Sequence, residues 1–109
     1  MSSEVRDTID ALPVAFQPDK ARTAQALVQL DLTGDNGGKW VMDVANGQCQ
    51  IREEITAKPD ATLTMNAYDF VALFRNQLDP MRAFMGGKIK VAGNMSVVMQ
   101  LMNWFRRGA

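Results

Sequence analysis

The chain of 109 residues contains no histidine and a single cysteine, Cys49. Without histidine it lacks the commonest metal ligand, the usual general base near neutral pH and any Ser-His or Cys-His catalytic pair. One cysteine excludes an internal disulfide and fits a reducing compartment, where it is more often a small apolar strand residue than a nucleophile. We therefore expect no metal site, no cofactor and a cytoplasmic location.

The acidic residues do not form a pattern typical of acid–base catalysis. Glu53 and Glu54 are adjacent in a charged turn, and the other carboxylates are scattered at turns and helix caps. The segment Gly86-Gly87-Lys88 leads into a strand, where a phosphate-binding loop needs a following helix. An enzyme that relies on carboxylates and Tyr68 would have no base near neutral pH, so we predict no catalytic residue.

Charge of one sign is not in excess. Twelve Lys and Arg residues balance twelve Asp and Glu residues, without long runs of like charge. This composition offers no electrostatic footprint for nucleic acid or for an anionic membrane. No segment approaches the roughly 18 consecutive apolar residues of a membrane span, so we expect no stable membrane insertion. Because no linker-like stretch divides the chain, we predict one domain over residues 1–109.

Apolar residues of the first segment follow a helical spacing, at Val5, Ile9, Leu12 and Phe16. Ser2 or Ser3 is available as the N-cap of this helix. Proline removes a backbone donor and clashes with the preceding turn. We expect Pro13 and Pro18 to break the helix.

Apolar residues that alternate with polar ones predict five strands. The segments concerned are Ala26–Leu32, Trp40–Val44, Cys49–Ile51, Ala61–Met65 and Lys88–Ala92. The pair Asn46-Gly47 suits a two-residue type I′ turn, so the first three strands should form an antiparallel meander. Alternation of lysine with apolar residues in the fifth segment is typical of an edge strand.

Cap residues predict three further helices in the second half of the chain. Asn66 is expected to cap a helix that ends at Leu78. Asp79 and Pro80 are expected to begin a short helix over Met81–Met85, which Gly86-Gly87 terminates.

The last predicted helix begins after Asn94 and runs to about Arg107. Arg106 and Arg107 would complement the dipole on its last turn. Well over half of its circumference is apolar, which is more than a helix lying on a core requires.

The second half concentrates flexible and aromatic side chains, namely Met81, Phe84, Met85, Met95, Met99, Met102, Trp104 and Phe105. Methionine repacks readily around ligands or partners of variable shape. These residues fit an ordinary core, a tunnel for a long apolar ligand, or an interface with a second copy or another protein. Periodicity and composition alone leave the three interpretations open.

An ordered series of motifs resembles the sterol carrier protein type 2 family. The motifs are Pro59-Asp-Ala-Thr-Leu-Thr-Met65, Asp69-Phe70, Leu78-Asp-Pro80, Ala83-Phe-Met85, Gly87-Lys-Ile-Lys-Val91 and Gly93-Asn-Met95. Upstream, Leu12-Pro-Val-Ala-Phe16, Gly38-Lys-Trp40 and Asn46-Gly47 are similar to the bacterial branch of that family. The resemblance covers about Leu12 to Phe105.

The resemblance implies an α+β fold in which helices cover one face of a five-stranded, largely antiparallel sheet, with an apolar tunnel between them. It implies non-catalytic binding, and possible transfer, of a fatty acid, fatty acyl-CoA, phospholipid or sterol-like molecule. In a bacterial chain, fatty acyl chains, phospholipids or isoprenoid quinones are better expectations than a sterol. The tunnel lining carried over is Phe70, Leu73, Phe74, Phe84, Met85, Met95, Val98, Met99, Met102 and Phe105.

An interaction module is the alternative to a lipid carrier. In that case the exposed apolar helix would form a homodimer, or would dock on a lipid-pathway or quinone-pathway enzyme as an accessory subunit. Lipid uptake separates the two hypotheses, because an interaction module with a dry, packed interior takes up none.

Overall fold

One five-stranded sheet organises the structure, a computed structural model that describes residues 4–21 and 23–105. The strands are β1 (Ala26–Thr33), β2 (Gly38–Ala45), β3 (Gln48–Arg52), β4 (Ala61–Asn66) and β5 (Ile89–Gly93). Their order is β3-β2-β1-β4-β5. Neighbours are antiparallel except for β1 and β4, which pair in parallel. The predicted largely antiparallel sheet is confirmed, with one parallel pair inside it.

Helices cover one face of this sheet, as the family resemblance implies. They are α1 (Glu4–Ala15), α2 (Pro18–Ala21), α3 (Ala67–Phe74), α4 (Pro80–Met85) and α5 (Met95–Leu101). The first of them, α1, packs against β3 and α3, whereas α5 packs against β4 and β5. None of the helices in the described residues is long and apolar enough to cross a membrane.

The meander of β1, β2 and β3 closes through the predicted turn. Asn46 has a φ of 54° and Gly47 a φ of 72°. A type I′ turn requires positive φ at both central residues, which asparagine and glycine tolerate best. The local sequence therefore determines the turn of this hairpin.

The parallel pairing of β1 with β4 requires residues 53–60 to cross the sheet, and Gln29 anchors that crossing. Its neighbours Val28 and Leu30 are buried on the helical side, so Gln29 points to the opposite face. The Gln29 Nε2 group donates to the carbonyls of Trp40 at 3.0 Å and Glu54 at 3.2 Å. Its Oε1 accepts from the Thr56 amide at 2.8 Å. This buried side chain fastens the crossing segment to the sheet.

Pro13 does not end α1, contrary to the prediction, because the helix continues to Ala15. Proline has a φ that a helix accepts and removes one amide donor, so a helix held by packing can continue past it. Val5, Ile9 and Leu12 are buried and supply that packing. Pro18 stands instead at the start of α2. The predicted N-cap at Ser2 or Ser3 lies outside the described residues.

The prediction that α3 extends to Leu78 was also wrong, since the helix ends at Phe74. Asn76 adopts a φ of 59°, and its amide donates to the Leu73 carbonyl. The Gln77 amide reaches back to the Ala72 carbonyl at 2.8 Å. This is a Schellman ending, in which asparagine takes the left-handed position usually held by glycine.

The last helix is much shorter than predicted, because α5 ends at Leu101. Beyond it the Trp104 carbonyl accepts from the Gln17 amide at 2.7 Å, and Phe105 forms a β-bridge with Phe16. The excess apolar surface inferred for a helix to Arg107 therefore belongs partly to the turn that follows α5, where the Trp104 and Phe105 side chains are buried. The predicted role of Arg106 and Arg107 lies outside the described residues.

Four phenylalanines form an aromatic cluster, which we define as Phe16, Phe70, Phe74 and Phe105. The Phe70 and Phe74 rings are 4.9 Å apart, and the Phe105 ring lies 5.9 Å from Phe74 and 5.5 Å from Phe16. All four side chains are buried, in tilted or edge-to-face pairs. Such pairs add stability beyond their buried area. The cluster connects α3 with the residues that follow α1 and α5.

Candidate lipid cavity

An apolar cavity of about 390 Å³ lies between α4, α5 and the edge of the sheet formed by β4 and β5. Its lining residues are Leu63, Asp79, Pro80, Met81, Phe84, Ile89, Met95, Val98, Met99 and Met102. Small-molecule sites have volumes of roughly 300–1,000 Å³ and predominantly apolar walls. The cavity has the size and the chemistry of a site for an apolar ligand.

Local sequence signals position the α4 wall. The Asp79 carboxylate accepts from the Met81 amide at 3.2 Å, and Pro80 occupies the first turn, as predicted. After Met85 the Lys88 amide bonds to the Ala83 carbonyl at 2.8 Å and turns the chain into β5. Ala83 is buried against the core, while Met81 and Phe84 line the cavity.

The α5 wall is held where β5 passes into the helix. The Asn94 side chain accepts from the amides of Ser96 and Val97, so it is the predicted N-cap. Its own amide donates to the Asp60 carbonyl at 2.9 Å. Gly93 has a φ of 89°, and a Cβ there would lie 2.6 Å from the same carbonyl oxygen. Only glycine fits this close approach, which fixes where α5 begins.

Side chains from α5 reach the cavity at helical spacing. Met95, Val98, Met99 and Met102 stand at positions i, i+3, i+4 and i+7, which share one face of a helix. Val98 is buried with Leu63 and Ile89 and forms the floor, whereas Met99 and Met81 are exposed at the mouth. The cavity is therefore closed by the sheet and open to solvent at Met81 and Met99, which we call the methionine rim.

Half of the predicted lining residues lie on this cavity, namely Phe84, Met95, Val98, Met99 and Met102. Four others, Phe70, Leu73, Phe74 and Phe105, are buried in the core. Met85 is exposed on α4 and does not line the cavity. The difference arises because α3 points its apolar face at the core and because Phe105 leaves the helix to pair with Phe16.

Sequence reasoning missed five lining residues, which are Leu63, Asp79, Pro80, Met81 and Ile89. Leu63 and Ile89 are inward positions of β4 and β5, and the strand alternation already marked them as buried. Met81 precedes Phe84 by three positions, so the two residues share a helix face. These signals show which side chains point inward, but they do not show which of them meet a cavity.

The cavity carries one carboxylate and no cation among the described residues that line it. Asp79 has the Arg82 guanidinium 3.9 Å away, with the Arg82 side chain pointing into solvent. No three His, Cys, Asp or Glu side chains in the described parts of the chain are placed to hold a metal ion. Electrostatics therefore provide no counter-charge for an anionic group inside the cavity.

Cys49 lies on β3, at the edge of the sheet opposite to the cavity. Burial and, to a smaller extent, the nearby Asp43 carboxylate raise the pKa of its thiol to about 12. A thiol that stays protonated is a poor nucleophile. This agrees with its interpretation as a small apolar strand residue.

A family model described as the SCP-2 sterol transfer family matches residues 10–106. Hydroxysteroid dehydrogenase-like protein 2 of Xenopus tropicalis is 31% identical over 101 residues, which are 92% of this chain and 24% of that protein. Sterol carrier protein 2 of Homo sapiens is 43% identical over 70 residues, 62% of this chain and 13% of that protein. The chain thus spans a quarter or less of the length of these relatives.

The fold also resembles that of a solved structure. The solution structure of the sterol carrier protein domain 2 of Helicoverpa armigera superimposes with a TM-score of 0.76 at 29% identity. That match covers 92% of this chain and 84% of the other.

Proposed function

Because this chain belongs to the SCP-2 sterol transfer family, we propose that it binds an apolar lipid, without catalysis, in the cavity between α4, α5, β4 and β5. The observation that carries the proposal is the cavity itself, which has nine uncharged lining residues and a volume of about 390 Å³. An apolar ligand in this cavity would gain packing contacts with its walls.

The energy available from apolar burial is sufficient for such binding. Each buried methylene contributes about 0.8 kcal/mol, so a chain of about 14 methylenes gives on the order of 10 kcal/mol before ordering costs. Micromolar affinity needs about 8 kcal/mol. A fatty acyl chain or an isoprenoid tail therefore needs no hydrogen bond to be retained.

The charge of the lining orients the ligand in this proposal. An anionic head group placed beside Asp79 would meet a second carboxylate and no lining cation. The alkyl or ring portion therefore enters over Leu63, Ile89 and Val98, and the head group stays at the solvent side near the methionine rim. Fatty acids, acyl-CoA, phospholipids and sterol-like molecules all satisfy this arrangement.

The absence of histidine also supports a binding role rather than an enzymatic one. The half-buried Cys49, whose thiol pKa is raised, is compatible with the reducing cytoplasm that we propose as the compartment. Four predicted lining residues lie in the core, and we propose that they stabilise the wall behind the cavity. They are Phe70, Leu73, Phe74 and Phe105.

Native mass spectrometry of gently purified protein, followed by uptake of a fluorescent fatty acid, tests the proposal. We expect bound lipid and saturable uptake. Met99→Asp puts a carboxylate at the exposed mouth and should weaken uptake about tenfold or more, since an apolar chain would desolvate that charge. The matched control is Met85→Asp on the exposed surface of α4, which should leave uptake unchanged. Persistent absence of lipid in both assays would overturn the proposal.

An interaction module is the second candidate, and the exposure of Met81, Met85 and Met99 favours it. In this case the methionine rim would contact a second copy of the chain or a lipid-pathway enzyme. A concentration-dependent dimer that Met102→Asp disrupts, with no lipid uptake at any concentration, would support this candidate over the first. Sedimentation velocity over a range of concentrations provides the measurement.

A further inference from the structure

Methionine is over-represented in the wall of the cavity. Four of its ten lining residues are methionines, at positions 81, 95, 99 and 102. The other methionines in the described residues are elsewhere, with Met42 and Met65 sealed in the core and Met85 on the outer surface of α4. The methionines of the described residues therefore fall into three classes, distinguished by access to water and to the cavity.

The thioether is the one readily oxidised group that this lining contains. Peroxides convert methionine to its sulfoxide, a polar product that reductases can reverse. The remaining lining residues are aliphatic, phenyl, proline and carboxylate groups, which peroxides attack far less readily. The only cysteine lies at the opposite edge of the sheet and does not compete.

We propose that the cavity methionines, which we define as Met81, Met95, Met99 and Met102, reduce hydroperoxide groups of a lipid bound in the cavity. The sulfur lone pair attacks the outer oxygen of the lipid hydroperoxide, the O–O bond breaks and an S–O bond forms. The sulfur loses two electrons, and the proton passes to the leaving alkoxide. One lipid hydroperoxide and one methionine thus give one lipid alcohol and one methionine sulfoxide. This inference rests on the proposed lipid binding.

Proximity is the physical reason that a bound lipid hydroperoxide selects these residues. A reaction between two groups held together gains greatly over the same reaction between free molecules. A lipid in the cavity holds its chain against the cavity methionines, whereas Met85 meets the peroxide only by collision from solution.

Exposure of the side chains to water predicts the opposite order of oxidation, so the two kinds of peroxide can be distinguished. Met85 is 79% exposed, Met99 60%, Met81 57% and Met95 39%. A small water-soluble peroxide should therefore oxidise Met85 first among them. A lipid hydroperoxide should oxidise the cavity methionines first.

The test compares tert-butyl hydroperoxide with the hydroperoxide of an unsaturated C18 fatty acid on the full chain. Peptide mass spectrometry gives the initial oxidation rate at each methionine. We expect the ratio of Met99 to Met85 oxidation to be at least about tenfold higher with the lipid hydroperoxide. Equal ratios for the two oxidants, with lipid binding demonstrated, would overturn the inference alone.

Two further measurements keep the result interpretable. The corresponding C18 hydroxy fatty acid measures lipid binding without oxidation, and its failure to bind would overturn both the inference and the proposed function. Met99→Leu keeps an apolar side chain and should lower the yield of lipid alcohol, whereas Met85→Leu should not change it. Alcohol formed without an equal amount of sulfoxide would count against the proposed reaction.

Discussion

Aromatic rings pack together where α3 meets the residues that follow α1 and α5, whereas methionines line the cavity between α4 and α5. Both regions use apolar side chains on the same face of one sheet. In the first, Phe16, Phe70, Phe74 and Phe105 are buried in ring pairs. In the second, Met81 and Met99 are partly in water. Rigid rings support a closed core, and flexible thioethers support a space that a ligand can shape.

The largest expected difference between the two regions concerns stability. Phe70→Ala removes a fully buried ring and should lower the free energy of unfolding by about 3–5 kcal/mol. Met99→Ala removes a largely exposed side chain and should change it by less than about 0.5 kcal/mol. Urea denaturation followed by circular dichroism measures both. Similar losses for the two variants would show that the methionine region is packed as tightly as the aromatic one.

Substitution of Phe105 distinguishes a role in the core from a role in the lining of the cavity. We expect Phe105→Leu to lower the free energy of unfolding by about 1–2 kcal/mol through lost contacts with Phe16 and Phe74. Its affinity for a fluorescent fatty acid should stay within about twofold of that of the parent protein. A marked loss of affinity in the folded variant would indicate that Phe105 lines the cavity, as the family resemblance implies.

Each of the two regions contains a helix capped by asparagine, so the two caps can be compared directly. Asn66→Ala at α3 and Asn94→Ala at α5 should each lower the free energy of unfolding by about 1 kcal/mol, since each removes an acceptor from a helix N-terminus. Only Asn94→Ala should also weaken fatty acid binding, because α5 is a cavity wall. Displacement titrations and thermal melts on both proteins check this. Equal binding losses would mean that cap strength, not position, controls affinity.

At neutral pH Cys49 should have the smallest effect on stability, and it tests whether reactive sulfur is confined to the cavity side. Its thiol pKa is raised from the ordinary 9.0 to about 12 by burial and by Asp43. The native protein therefore keeps the proton where the unfolded chain loses it, so stability is unaffected below pH 9 and falls between about pH 9 and 12. The decline should be absent in Cys49→Ala. Rapid labelling of native Cys49 at pH 8 by a thiol reagent would contradict the raised pKa.

Strand positions and helix beginnings were predictable from the sequence because each depends on a few adjacent residues. Alternation at Ala61–Met65 and the caps Asn66, Asp79 and Asn94 agree with the structure. Helix ends were not predictable in the same way. The spacing of Phe70, Leu73 and Phe74 continues acceptably to Gln77, yet Asn76 turns the chain in the left-handed conformation.

The candidate site also combines features that the local sequence determines with features that it does not. The sequence placed Met95, Val98 and Met99 on one helix face, which local periodicity determines. The lining that the family resemblance implies also includes Phe74 and Phe105, although their rings pack together in the core.

By itself, the sequence determined the five strands, the turn at Asn46-Gly47, the caps and the exclusion of histidine-dependent chemistry. Each of these follows from residue identity or from short-range geometry. Only the tertiary structure decided which apolar faces close on one another and which leave a cavity. Phe105 is buried because Phe16, from the other end of the chain, pairs with it, while Met99 remains at an opening because no such partner covers it within the described residues. Burial depends on contacts distant in sequence, and periodicity carries no information about which distant segment arrives.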